Sequence, residues 1–281
     1  MMKKIAVLMT VHNRRDKTLN CLKNLYENEI PQGHDIHVYM TDDGCTDGTP
    51  EAVSMHFPNV NIVKGDGNLY WNRGMWTAWN EAAKKDYDYY LWLNDDTTLF
   101  PYAIKSLIEE SNNHNEASII VGACISPDHS RMTYGGRDKK GLVIPEGKSK
   151  EVTIVNGNIL LVPQNVFKVL GNLNLRFHHG GGDFDYSWRA GQAGIKCYQA
   201  SDYLGECDNY HSVPSWCNPK VPLLKRIKAL NRPNGMPPSI VLYEERRERG
   251  FMTACFHYFT VYLKCFFPVI WIWKEKFIDK Y

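Results

Sequence analysis

Over the first hundred residues, short apolar runs alternate with stretches whose apolar positions recur at helical spacing, which predicts βαβ units around a mainly parallel sheet. Lys4 to Thr10 reads as a strand, and Asp16 to Asn28 as a helix on which Leu19, Leu22 and Leu25 or Tyr26 share one face. Ile36 to Thr41, Val60 to Lys64 and Tyr87 to Leu93 are the next three strands. Between them, Thr49 is placed to cap a helix with Pro50 at its first position, where a missing N–H costs nothing. A further helix runs from about Asn72 to Lys84, after the loop Gly65-Asp66-Gly67-Asn68.

Beyond residue 100 the alternation is less regular. Tyr102 to Asn113 reads as a helix, Ser118 to Cys124 as a strand, and residues 125–160 as irregular β-rich chain with several glycines. Asp183 to Ala193 reads as a helix and Lys196 to Ala200 as a strand. From Pro214 the composition turns to proline and basic residues and then to aromatics, so residues 1–213 and 214–281 are expected to be separate regions.

In residues 251–273, Phe251, Cys255, Phe259, Leu263, Phe266 and Ile270 fall on one helical stripe, with Thr253, His257, Thr260 and Lys264 opposite. Lys264 and Pro268 argue against a spanning helix. An amphipathic helix lying in a membrane interface fits, with Lys220, Lys225, Arg226, Lys228 and Arg232 available to anionic head groups. Packing on the rest of the protein or against a second copy accounts for the stripe equally well.

A formal net charge of +2 gives no support to a general polyanion-binding role. The eight cysteines contain no C-x-x-C pair and follow no secretory signal, so free thiols in a reducing cytoplasm are expected.

In open α/β sheets ligands gather beyond the carboxyl ends of the strands. Here those ends deliver Thr10-Val11-His12-Asn13-Arg14, then Asp42-Asp43, then Gly65 to Asn68, then Asn94-Asp95-Asp96. Two adjacent carboxylates repel by about 1 kcal/mol at ~4 Å in water, and by more where the dielectric falls, so each acidic pair calls for a cation. Mg2+ and similar hard ions suit a site of one or two carboxylates completed by substrate phosphates. Read alone, Asp95-Asp96 suits equally a solvated loop that caps the next helix, and Asp42 to Gly48 suits a plain turn. Asp42 or Asp43 is placed to accept the imide N–H of a pyrimidine, with His12 as a flat ring against the base.

The ordered set "TVHNR", "TDDGCTDGT", "GDGNLYWNRGMWTAWNEA", "LWLNDDTTL" and "GGGDFDYSWRAGQAGIK" resembles glycosyltransferase family 2, inverting enzymes of the GT-A fold, and in particular its rhamnosyltransferase-like members. The resemblance covers residues 3–212 and implies a GT-A type α/β nucleotide-binding fold with a mainly parallel central sheet, followed here by a helical, aromatic-rich C-terminal tail. It implies that Thr10, His12 and Arg14 line the nucleotide, that Asp43 with its neighbour Asp42 reads the base, and that Gly67, Asn68, Asn72 and Arg73 lie under nucleotide and sugar. Asn94-Asp95-Asp96 fills the D-x-D position. Its first residue departs from the pattern, leaving Asn94 to a ribose hydroxyl, Asp96 as the ligand of Mn2+ or Mg2+ and Asp95 as support or second ligand.

Family members commonly carry Glu-Asp where this chain has Gly182-Asp183, and the Asp serves as catalytic base. Asp183 is therefore the expected base and Asp185 the second choice, the helix N-terminus being expected to lower the carboxyl pKa. His211 is a candidate metal ligand, although a lone histidine is more often structural.

The activity implied is transfer of a sugar, as by a hexosyltransferase, from UDP or dTDP to a hydroxyl of a glycan or lipid-linked acceptor. Its expected setting is polysaccharide and cell-envelope biosynthesis, in the cytoplasm or on the inner face of its membrane, with no nucleic acid involved. The rival readings are a nucleotidyltransferase, against which the glycine-free "TVHNRRDK" argues, and a non-catalytic nucleotide-sugar binder of the same fold.

Overall fold

Four parallel strands, β1 (Lys3–Val11), β2 (His34–Asp42), β3 (Asn61–Lys64) and β4 (Tyr89–Leu93), stand in the order β4-β1-β2-β3. They belong to a computed structural model that describes residues 2–208 and 213–270. The crossovers are α1 (Arg15–Tyr26), α2 (Thr49–His56) and α3 (Tyr70–Ala82). Ile5 to Met9 and Tyr89 to Leu93 are buried without a break, as strands covered on both faces must be. At α2 the capping differs from expectation. Thr49 lies inside the helix, and Asp47 Oδ1 accepts from its backbone N–H at 3.1 Å.

After β4 come β5 (Thr98–Leu99), α4 (Ala103–Asn113), β6 (Ile119–Ile125), β7 (Met132–Tyr134), the small hairpin β8 (Arg137–Asp138) and β9 (Gly141–Leu142), and β10 (Lys150–Val152). At the end of the stretch expected to be irregular and β-rich, and running past it, lies a core strand, β11 (Ile159–Pro163), which inserts between β4 and β6 antiparallel to both. Two helices, α5 (Gln164–Leu170) and α6 (Gly182–Gln192), lead to β12 (Cys197–Glu206), completing the order β10-β12-β6-β11-β4-β1-β2-β3. β12 extends past Ala200 because irregular register between Gln199 and Gly205 absorbs the polar Ser201-Asp202.

One face of the sheet is filled by Leu22 and Leu25 of α1 and Leu107 and Ile108 of α4. The other is filled by an aromatic cluster in which Trp79 of α3 lies 5.4 Å from Trp92 of β4, and Trp92 lies 5.2 Å from Tyr186 of α6. That cluster packs α3 and α6 on the same side of the sheet.

The described residues divide into two compact units, 2–175 with 182–208, and 176–181 with 213–270. The second unit contains α7 (Leu223–Leu230), α8 (Pro238–Glu248) and α9 (Phe251–Phe266), gathered on Trp216, Leu230, Val261 and Cys265. Among the described residues no helix is long and apolar enough to cross a membrane.

Candidate active site

The loops after the strands are stitched to one another by side chains. His12 Nδ1 donates to the Asp43 carbonyl at 2.7 Å, and Asn13, in the left-handed region at φ 51°, accepts the Thr46 N–H at 2.7 Å. Asp42 Oδ1 accepts from the Cys45 N–H at 2.8 Å, closing the turn after β2. Gly44, at φ 72°, leaves room for the next loop, since a Cβ there would lie 2.8 Å from the Gly67 Cα.

Both carboxylate oxygens of Asp43 are engaged by backbone N–H groups. Its carboxylate, on a residue only 4% exposed, accepts the N–H groups of Gly67 at 2.9 Å, Leu69 at 3.1 Å and Tyr70 at 2.8 Å. It thereby fastens the loop that starts α3, where Tyr70 is held at φ 57°, an uncommon conformation for a bulky residue. Thr10 packs beneath α3, where a Cβ on Gly74 would come within 2.1 Å of its Oγ1. Asn68 is exposed.

At the end of β4 the two carboxylates converge on a single nitrogen. Arg14 Nη1 donates to Asp95 Oδ1 at 3.1 Å and to Asp96 Oδ2 at 2.8 Å. Asp95 is 4% exposed, and burial pushes its carboxyl up to about 6, with Arg14 opposing and Asp96 adding to the rise. Asp96 Oδ1 faces the Cys207 thiol at 3.8 Å, and burial keeps that thiol protonated by raising its pKa to about 12. Asn94 is held from two sides. Its Oδ1 accepts from the Trp71 indole at 2.7 Å and its Nδ2 donates to Asn158 Oδ1 at 3.1 Å.

The second acidic centre is the N-terminal end of α6. Asp183 accepts backbone N–H bonds from Phe184, at 3.0 Å, and from Gly157. The expected lowering of its pKa is not what the structure gives. Desolvation outweighs those N–H donors and raises the carboxyl to about 6. A Cβ on Gly182 would lie 1.7 Å from Asn72 Oδ1, so the close approach of these two residues requires glycine here. Asn72 itself is fully buried and donates from Nδ2 to the Asn174 carbonyl at 2.9 Å, while Arg73 Nε donates to the Leu175 carbonyl at 3.2 Å. These two residues hold chain segments around the site.

Asp185 faces the interior. It is fully buried, accepting from Arg189 Nε at 2.9 Å and Asn174 Nδ2 at 3.2 Å, and Arg189 ties the pair to the Asn172 carbonyl at 3.0 Å. Removing one member of a buried ion pair typically costs ~3–5 kcal/mol. With Arg189 partly exposed, Asp185→Ala is expected to lower unfolding stability by about 3 kcal/mol in urea titration. An unchanged midpoint would return Asp185 to the list of groups free for chemistry.

The two acidic centres are joined by a loop that sequence reasoning did not single out, Asn156-Gly157-Asn158. Gly157 gives its N–H to Asp183, Asn158 holds Asn94, and the Trp71 ring packs on Gly157, where a Cβ would come within 2.3 Å of it. The polar triplet ahead of Ile159 was the available signal. It was missed because β11 is antiparallel, so its N-terminal end reaches the edge where the parallel strands finish. Cys207 and Thr18, whose Oγ1 lies 3.4 Å from Asp95 Oδ2, were likewise not singled out. His211 lies outside the described residues, and no group of three or more His, Cys, Asp or Glu suited to a metal occurs among the described ones. The donor set nevertheless fits a hard cation, since two carboxylate oxygens already share one cationic nitrogen.

A mainly parallel sheet with an acidic pair beyond its fourth strand and a second carboxylate at a helix start is the layout of a GT-A glycosyltransferase. Residues 6–160 match the Glycosyl transferase family 2 model, and the chain belongs to that family. Among solved structures, GalNAc-T7 with UDP, GalNAc and Mn2+ superposes with a TM-score of 0.58 at 12% identity, over 82% of this chain and 48% of its own. The mannosyltransferase PcManGT from Pyrobaculum calidifontis, in complex with GDP-Man and Mn2+, gives 0.56 at 14%, over 100% and 81%. S. aureus TarS gives 0.52 at 12%, over 91% and 44%. The chain thus spans about half the length of GalNAc-T7 and TarS. At these identities the likeness is one of fold. No curated protein matches the sequence.

Proposed function

We propose that the chain is an inverting glycosyltransferase that moves a sugar, of hexose type, from a nucleoside diphosphate to a hydroxyl of a glycan or lipid-linked acceptor. The observation that carries this reading is the pairing of two unlike acidic centres across the Asn156–Asn158 loop. One converges on a cation, and the other is a single carboxylate held by two N–H groups with its pKa raised to about 6.

In this reading Asp96 and Asp95 hold a divalent cation together with the donor diphosphate, and the ion would neutralise charge on the leaving group. Arg14 is the protein's own positive group at the same place and moves to the phosphates as the donor enters. Trp71 and Asn158 fix Asn94 for a ribose hydroxyl. Asp183 accepts the acceptor proton as its oxygen attacks the anomeric carbon from the face opposite the leaving diphosphate, so no covalent intermediate is needed. A base with a pKa nearer neutrality takes that proton more readily than an ordinary carboxylate.

Because Asp43 spends its carboxylate on the loop before α3, the donor base is best tested openly. UDP-, dTDP- and GDP-sugars, dTDP-rhamnose among them for the motif resemblance, are each incubated with Mn2+ or Mg2+, and free nucleoside diphosphate is measured. Release from one donor class, with inversion read from the anomeric proton coupling of the product, is expected. Pyrophosphate release would indicate nucleotidyl transfer, and saturable binding without release from any donor would indicate a binding protein.

A further inference from the structure

The outer face of α9 is apolar throughout, and its polar side chains are only partly exposed. Every exposed residue of this helix is hydrophobic: Phe251, Met252, Phe256, Phe259, Leu263 and Phe266. Thr253, His257, Thr260 and Lys264 are partly covered, His257 through an ion pair with Glu245 at 2.8 Å, while Ala254, Val261 and Cys265 fill the interior. This is the reverse of an ordinary surface helix, whose outer face is polar. A row of exposed large apolar groups this long marks a surface meant to be covered.

Charge indicates what covers it. Residues 213–270 contain nine Lys or Arg against three Asp or Glu, whereas the rest of the chain has twenty-four against twenty-eight, so the near-neutral total hides a basic segment. α7 packs against α9 through Leu230, Ile227, Val261 and Cys265, and it exposes Leu223 and Leu224 beside Lys225 and Lys228. A second copy would add a second net-positive segment and no compensating charge. An anionic bilayer offers both acyl chains to the phenylalanines and phosphates to the lysines.

We infer that α9 docks this second unit on the surface of an anionic lipid bilayer, with Phe256, Phe259 and Leu263 entering the head-group boundary and the basic residues of α7 meeting lipid phosphates. The inference concerns residues 213–270 alone and stands whether or not glycosyl transfer is the activity of the first unit. The helix lies in the interface and does not span it.

The test is flotation of the full chain with vesicles of phosphatidylcholine alone or with added phosphatidylglycerol. The chain is expected to float with the anionic vesicles only, and raising salt from about 0.1 to 0.5 M, which shortens the screening length, is expected to reduce the bound fraction severalfold. Phe256→Glu with Phe259→Glu, at exposed positions, should lower the bound fraction at least tenfold, while Phe256→Leu with Phe259→Leu retains it. Thermal unfolding of each variant, and its shift by UDP with Mn2+, reports separately on folding and on the first unit. Equal flotation of the Glu variant and the parent would overturn the inference. So would a parent that never floats, including one that floats only after residues 271–281 are removed, or a dimer in light scattering that the Glu variant dissolves.

Discussion

Asp183→Asn lowers the rate of glycosyl transfer, or of donor hydrolysis where no acceptor is supplied, by about 10³-fold, within the range a general base contributes. Donor affinity is expected to change little, because the hydrogen bonds of the Asp183 carboxylate go to the Phe184 and Gly157 backbone and not to the Arg14 cluster. The parent's rate rises with pH through about 6, where Asp183 gives up its proton, and is level above it. The same limb is missing from the Asn variant. Saturating Mn2+ keeps Asp95, which also titrates near 6, ionised across this range, so the remaining limb belongs to Asp183. Stability supplies an independent check on sign. The folded-state pKa lies above the ordinary carboxylate value of 3.8, so the proton on Asp183 favours the fold at low pH, and that contribution is lost as pH rises through about 6. At pH 7.5 the Asn variant, whose amide oxygen can still accept the Phe184 N–H, sheds that charge penalty and is therefore expected to stay close to the parent in stability by thermal unfolding. A variant that turns over normally removes Asp183 from the chemistry; one that is unfolded removes the burial argument.

The parts of this picture that could be read from sequence are those that depend on local pattern. β1 to β4 are apolar runs buried on both faces, and the polar residues at their ends are placed by chain direction alone, which is why Arg14, Asp43 and Asn94 to Asp96 were singled out. What those residues do depends on partners far along the chain. Arg14 meets Asp95 across 81 positions, and Asp43 meets Tyr70 across 27. β11 is as apolar a run as β4, but nothing local gives its antiparallel direction, so the loop it brings to Asp183 was not placed at the site. The pKa of Asp183 was misjudged in sign for a related reason. The helix start is a local feature that favours the anion, whereas desolvation comes from tertiary packing. For α9, periodicity grouped Phe251, Phe259, Leu263 and Phe266, which are exposed together, but did not single out Ala254, Val261 and Cys265 as the residues the protein would cover.

Arg14→Gln is expected to bind Mn2+ more tightly than the parent in the absence of nucleotide, by about tenfold, when free Mn2+ is counted by electron paramagnetic resonance. The reason is positional. Arg14 Nη1 stands 3.1 Å from Asp95 Oδ1 and 2.8 Å from Asp96 Oδ2, so an incoming divalent ion must first displace a resident cation. A unit charge at such range is worth from about 1 kcal/mol in water to ~4 kcal/mol near a protein surface, and the half-exposed guanidinium places the effect toward the lower end. Asp96→Ala moves the other way, losing Mn2+ binding and lowering turnover by about 10²–10³-fold, the usual consequence of removing a group that stabilises a leaving-group charge. With donor present the Arg14→Gln advantage disappears and donor affinity falls, because the freed guanidinium is then needed at the phosphates. The two variants together separate a cation that competes with the metal from one that only braces the loop. If Mn2+ binding weakens in Arg14→Gln, Arg14 is a brace, and the convergence of the two carboxylates on its nitrogen is a structural ion pair.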